Sequence, residues 1–421
     1  MSKEKLTISG SKDYFLKNGK YFFYLADSVW TAFVNIEFDE WEEYLDYRKS
    51  QDFNVLQISI AGLFKDPNRH FFICDKNGKP DYYNINDEYF NRAGKMLEIA
   101  VEKGFIPALV VLWCHLVEDT WVSMNDPKSI MPIDSVKPYV EYVVESFTKF
   151  NPIYIISGDT NFLSNRTKEA YLIALKTIKE MCPDALTTMH IWGDSTDIPL
   201  EIKDSNYIDF YMYQSGHKIK LQHYSYQFAK EFYNSKIKRP ILNSEPCFES
   251  GGYYEEYGRF TDFDVRKAVW QSLLSGAKAG VAYGAQGIWS WQKKGSVFPD
   301  ENAFNAAYNW KTALRLKGAW DLSFAKYIFE TYNLFDIEPV DIILNKTKEI
   351  IASVSKDNEK IIIYIPYSTN VYVNKNLKGY KWTLIDFSNK YFGKPDISLM
   401  ENKSVIKMHE FNTDLLIIGL K

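Results

Sequence analysis

Eight short apolar runs punctuate the first three quarters of the chain: "YFFYLADSVW", "FNVLQISI", "FIPALVVLW", "IYIISGD", "ALTTMHIW", "IDFYMYQS", "PILNSEP" and "GVAYGAQGIWSW". Each is continuous in apolar character rather than alternating, as strands covered on both faces of a parallel sheet should be. Helical periodicity fills the gaps. Asp39 is placed to cap a helix carrying Trp41, Tyr44 and Leu45. In "NDEYFNRAGKMLEIAVEKGF", Phe90, Ala93, Leu97, Ala100 and Val101 share a face, and Gly104 suits the C-terminal end. "TDFDVRKAVWQSLLSGAKAG" opens with a capping pattern from Thr261 to Asp264 and directs Val265, Ala268, Val269 and Leu273 inward. Before the first run, Asn18-Gly19 predicts a hairpin turn.

Eight strand–helix units predict an α/β fold, a (β/α)8 TIM barrel over residues 1–335. A doubly wound open sheet is the alternative, but "LADSVW" lacks the glycine-rich turn that would follow its first strand. After "ETYNLFDIEPV" the texture changes to short strands and polar turns: "EIIASVSKDNEKIIIYIP", "VYVNKN", "KWTLIDFSN" and "TDLLIIGL". These predict a small antiparallel β-sandwich domain over residues 336–421.

Composition narrows the function. With 50 basic and 54 acidic residues and no basic block, nucleic acid is not the expected partner. No apolar run is long enough to span a membrane, and "MSKEKLTISG" lacks the apolar region of a signal peptide. A cytoplasmic location is expected, or secretion if a leader has been trimmed. Cys74, Cys114, Cys182 and Cys247 show no metal-like spacing and are expected to be reduced. The aromatic content is high, with 30 Tyr, 28 Phe and 11 Trp; most must be core, yet flat rings also suit sugar faces.

In a barrel of this kind the chemistry sits at the C-terminal strand ends. Those ends carry Asp27, Trp113, His115, Asp159, Asn161, His190, Trp192, Asp194, Tyr213, Gln214, His217, Glu245, Tyr283, Trp289 and Trp291. Asp159 and Glu245 stand out because each ends an otherwise apolar run. Glycosidic cleavage needs such a pair, one carboxyl protonated and one ionised, about 5–5.5 Å apart for retention and roughly 6.5–9.5 Å for inversion. Plainer readings exist: "GDTN" is good turn chemistry for an Asp that caps its own loop, and Glu245 could be an ion-paired structural residue. His115, His190 and His217 also leave open a metal-dependent barrel hydrolase using Asp159 or Asp27. A non-catalytic carbohydrate- or matrix-binding protein is the third possibility.

Several segments together resemble the apiosidase-like glycoside hydrolases, glycoside hydrolase family 140. They are "KNGKYFFYLADSVW", "FNVLQISIAG", "IYIISGDTN", "LNSEPCFE" and "DFDVRKAVWQSLLSGAKAGVAYGAQGIWSW", spread over roughly residues 14–335. The resemblance implies a retaining (β/α)8 glycosidase that needs no cofactor and acts on an oligosaccharide or small glycoside. Asp159 would be the acid/base on strand 4 and Glu245 the nucleophile on strand 7. The region after residue 336 resembles the collagen-binding-type β domain that follows such barrels, with packing on the barrel as its expected role. Many barrel glycosidases carry Asn-Glu where this chain has Gly158-Asp159. Gly158 is therefore expected to leave room for a ligand, and Asn161 to help position it. Trp30, Trp113, Trp192, Trp289 and Trp291 are candidate sugar platforms, two or three of them expected to be core. Asp27, His115, His190, Tyr213, Gln214, Glu249 and Tyr283 are candidate hydroxyl partners or orienting groups.

Overall fold

In a computed structural model, residues 5–62, 69–254, 256–296, 305–410 and 414–421 are described. Residues 1–4 of the leader reading and Thr413 of the last expected strand lie outside them.

All eight runs become strands of one parallel sheet: Tyr24–Ser28, Val55–Ser59, Ile106–Trp113, Ile153–Gly158, Thr187–Thr188, Tyr211–Gln214, Ile241–Glu245 and Gly280–Tyr283. Numbered as barrel strands 1 to 8, they pair in the order 5-4-3-2-1-8-7-6. The seam between strands 5 and 6 is closed by the Asp209 N–H donating to the Thr187 carbonyl (2.9 Å) and the Thr188 hydroxyl donating to the Phe210 carbonyl (2.7 Å). Alternation along each strand decides what every side chain meets. Tyr24, Ala26, Val110, Ile153, Ile155, Met212, Leu242 and Ala282 fill the barrel interior, whereas Leu25, Leu109, Tyr154, Ile156, Tyr211 and Val281 join the larger core beneath the helices.

The N-terminal hairpin (Phe15–Lys17 with Lys20–Phe22) turns on Asn18 and Gly19, both at positive φ, as the sequence predicts. Its Phe15 is fully buried in the interior cluster against Phe210 and Tyr24. The helix over Phe38–Ser50 is capped by Glu37, boxed with Glu40, so Asp39 lies in the first turn instead of capping it. The helix over Asp87–Glu102 buries Phe90, Ala93, Leu97 and Ala100, but Val101 is exposed. Thr261 and Asp264 do form a capping box for Asp262–Leu274.

Beyond Ile337 the chain forms a six-stranded antiparallel sheet and a three-stranded one. One face of the larger sheet, through Ile362, Tyr364, Ile385, Phe387, Leu416 and Ile418, shares the barrel's outer core. Arg266 reaches across, its Nε and Nη2 each donating to the Asp414 carboxylate (2.8 and 2.6 Å) while Nη1 donates to Asp321 (2.6 Å). Removing a partner from so buried an ion cluster would leave an uncompensated charge, so this contact fixes the β layer on the barrel. Among the described residues no helix is long and apolar enough to cross a membrane. All four cysteines are free thiols.

Candidate active site

A cleft of about 1670 Å³ opens over the C-terminal strand ends. Asp159, immediately beyond strand 4, and Glu245, the last residue of strand 7, both line it. Each is aimed by an irregular backbone. Asp159 adopts φ +52, the left-handed region that a non-glycine residue seldom occupies. At Glu245 the pairing with strand 6 slips by one: Tyr213 faces Asn243, but Gln214 faces Glu245. Ser244 is the extra residue, and its hydroxyl donates to the Tyr213 carbonyl (3.0 Å). Strict alternation would direct Glu245 outward with Asn243, which donates to Ser215 and Ser272 beneath the helix over Asp262–Leu274. The bulge turns it into the cleft.

One histidine bonds Glu245 and a second lies beside it. His217 Nδ1 accepts from the Phe248 N–H (3.4 Å), which leaves Nε2 to donate to Glu245 Oε1 (2.8 Å). His190 Nδ1 accepts from the Asp159 N–H (3.2 Å), so its Nε2–H points at Glu245 Oε2, 3.5 Å away. Burial lowers the His190 pKa and keeps its ring neutral despite that carboxylate. One imidazole thus touches the backbone of one acid and the carboxylate of the other. Asp159 Oδ1 accepts a 2.6 Å hydrogen bond from Gln214 Nε2. Burial first, and the Glu245 charge second, push the Asp159 carboxyl up to about 7 against that hydrogen bond. The site therefore separates one carboxyl that holds its proton near neutrality from one that sits among N–H donors.

A family model, described as "Apiosidase-like, catalytic domain", matches residues 9–336. The chain belongs to the apiosidase-like family. It is a glycoside hydrolase. Among solved structures, a glycoside hydrolase aligns over 99% of this chain and 97% of its own, at 20% identity and a TM-score of 0.82. A family 5 glycoside hydrolase from Bacteroides vulgatus ATCC 8482 aligns over 99% and 93%, at 19% identity and a TM-score of 0.82. An exo-β-1,4-mannosidase from Opitutaceae bacterium strain TAV5 covers 77% of this chain and 63% of its own, at 15% identity and a TM-score of 0.51. At these identities the likeness is one of fold. No curated protein matches the chain in sequence.

Around the pair, this apiosidase-like cleft is lined by Trp30, Trp113, His115, Gln214, His217, Phe248 and Trp289. Trp30 and Trp113 meet edge to face and both flank His190, forming an apolar floor. Gly158 does not leave room for a ligand, contrary to expectation. The Trp113 ring lies on it so closely that a Cβ there would sit 2.2 Å from Trp113 Cε3. Asn161 is nearly buried, and its Oδ1 accepts from the Trp121 N–H (3.0 Å). It supports a neighbouring loop.

Six other candidates are not brought to the cleft, and alternation explains three. Asp27, Tyr213 and Tyr283 occupy outward positions of their strands. Asp27 is fully buried against Arg48 Nε (2.5 Å) and the Tyr44 hydroxyl (2.7 Å). The Tyr213 hydroxyl donates to the Ser225 carbonyl (2.7 Å). The Tyr283 hydroxyl donates to Glu249 Oε2 (2.5 Å), which also accepts the Gly318 N–H (2.8 Å), so Glu249 too is sealed behind the barrel. Trp291 stacks on Trp310 with ring centres 4.5 Å apart, and its indole N–H donates to Glu40. Trp192 is half-buried and does not line the cleft; its N–H donates to the Thr160 carbonyl (2.9 Å).

Among the described residues no group of three His, Cys, Asp or Glu is arranged to hold a metal. Sequence reasoning missed Trp121, Phe248 and a hairpin (Phe72–Cys74 with Pro80–Ile85) that walls the cleft. Only Asn77-Gly78 signalled that hairpin.

Proposed function

We propose that this chain is a retaining glycosidase acting on a plant-type glycoside or oligosaccharide, with an apiosidic linkage as the first candidate. Asp159 serves as acid/base and Glu245 as nucleophile. Asp159 gives its proton to the leaving oxygen while the Glu245 carboxylate bonds to the anomeric carbon, breaking the glycosidic bond. Water then attacks the glycosyl ester, losing a proton to Asp159 and freeing Glu245.

The observation that carries this reading is that two carboxyls line one cleft and the one on strand 4 is pushed up. Asp159 is raised to about 7, in part by the Glu245 charge, while Glu245 accepts the His217 N–H. A general acid must keep its proton near neutrality, which is what burial and the neighbouring carboxylate favour at Asp159. Direct attack, as opposed to attack through an intervening water, is supported by how tightly the pair is knit. His190 contacts both residues, and Gln214 is both the register partner of Glu245 and the donor to Asp159. Plant-type substrate preference rests on family membership.

A 2-deoxy-2-fluoro glycoside with a good leaving group tests the assignment. It is expected to label Glu245, identified by peptide mass spectrometry, and proton NMR of a turned-over substrate is expected to show the anomer retained. An inverted first product, or a label elsewhere, would overturn it.

A further inference from the structure

Trp121 is an exposed tryptophan inside the cleft, 38% accessible and fastened at both ends. Its indole N–H donates to the backbone carbonyl of Asp159 (2.7 Å), and its own N–H donates to Asn161 (3.0 Å). The turn beneath it is rigid: Thr120 and Ser123 are fully buried, and the Thr120 hydroxyl donates to the Cys114 carbonyl (2.7 Å). The ring's only polar atom is spent on this anchorage, so what it offers the cleft is an apolar surface.

Its position assigns that surface to one side of the reaction. The acid must lie at the leaving oxygen, and whatever adjoins the acid adjoins the leaving group. Trp121 is bonded to Asp159 itself, whereas Phe248 and Trp289 lie on the Glu245 side, through His217. Beyond Trp121 the cleft continues between the 121–132 loop and the 72–85 hairpin. The Tyr82 hydroxyl staples these two walls by donating to the Ser129 carbonyl (2.6 Å). Asn77, Lys79, Asp81, Asn125 and Lys128 give that channel a polar rim suited to hydroxyls.

Resting on the acid/nucleophile assignment above, we propose that Trp121 is the platform of a leaving-group subsite and that the channel beyond it takes a further sugar unit. The enzyme then selects substrates by their aglycone: it releases its glycosyl group from a saccharide chain in preference to a small alcohol. A ring held in place before substrate arrives gives up little entropy on binding, which is what makes such a platform selective.

The test uses apiosides of methanol, of one sugar unit and of two. Methyl apioside needs the full proton transfer from Asp159 but has nothing to lay on Trp121. Wild-type kcat/KM is expected to rise along the series. Trp121→Ala should flatten it, losing roughly tenfold more on the saccharide aglycones than on methyl apioside. Trp121→Phe keeps a ring but lacks the N–H tether, and should retain the preference for saccharides. Equal loss on all three substrates would overturn the proposal, because Trp121 would then act only by holding Asp159 in place. A flat wild-type series would also overturn it. No turnover of any glycoside by the wild-type protein would instead bring down the glycosidase mechanism, and this subsite with it.

Discussion

Two pairs of acidic residues are withdrawn from solvent to different degrees in this barrel, and they do opposite things. Asp159 and Glu245 face a cleft, where Gln214 donates to Asp159, His217 bonds Glu245, and among the described residues no Lys or Arg pairs with either. Asp27 and Glu249 lie behind strands 1 and 8; Arg48 pairs with Asp27, and Tyr283 and the Gly318 N–H hold Glu249. Glu249 is also raised to about 7, chiefly by burial, yet no substrate can reach its proton. A perturbed carboxyl therefore marks a reactive site only where an opening accompanies it. Burial sets the proton affinity; access makes it useful.

The comparison breaks first at Glu245. Glu245→Gln should lower kcat by roughly 10⁴-fold or more in a glycosidase assay, with thermal melting little changed. Glu249→Gln, four residues on, should leave kcat nearly intact. Asp159→Asn comes next, with a loss of about 10²–10⁴-fold on alkyl and sugar leaving groups and much less on a dinitrophenyl glycoside, which departs without a proton. The wild-type kcat/KM should fall as pH rises through about 7, where Asp159 ionises, and Asp159→Asn should abolish that limb.

The sealed pair is sharpened by stability. Arg48→Met strands the Asp27 charge in a dry core and should destabilise by about 3–5 kcal/mol in chemical denaturation, while the folded fraction keeps its kcat. For Glu249 the sign is fixed by its raised pKa. Its contribution is full below the unfolded value near 4.5 and is lost as pH rises through about 7. Glu249→Gln should thus melt higher than wild type above pH 7, by on the order of a few °C, with the difference closing toward pH 4.5 and the kinetic limb unmoved. The smallest effect belongs to Gln214→Leu. Losing the hydrogen bond that lowers the Asp159 pKa should move the kinetic limb to higher pH.

The barrel was legible because period and strand number are carried by many residues at once; no single position decides them. Asp159 and Glu245 were legible as charges ending apolar runs. Asp27, Tyr213 and Tyr283 were misplaced because a strand end has two sides, and the sequence position of an end does not say which side a residue takes. Trp121 left no signal of its own. Its role arises from a fold that brings the loop after strand 3 against the backbone after strand 4, and only coordinates report such a meeting. The same holds for Trp113, whose seat on Gly158 reverses what that glycine suggested alone.

Ser244 carries the direction of the nucleophile without touching it chemically. Deleting this one residue would set the glutamate directly after Asn243 and therefore still on the cleft side opposite Gln214, whereas flattening the bulge with the serine retained would turn Glu245 into the helix layer with Asn243. The aim of the nucleophile is thus a matter of residue count, set by a serine whose own hydroxyl is spent on the Tyr213 carbonyl.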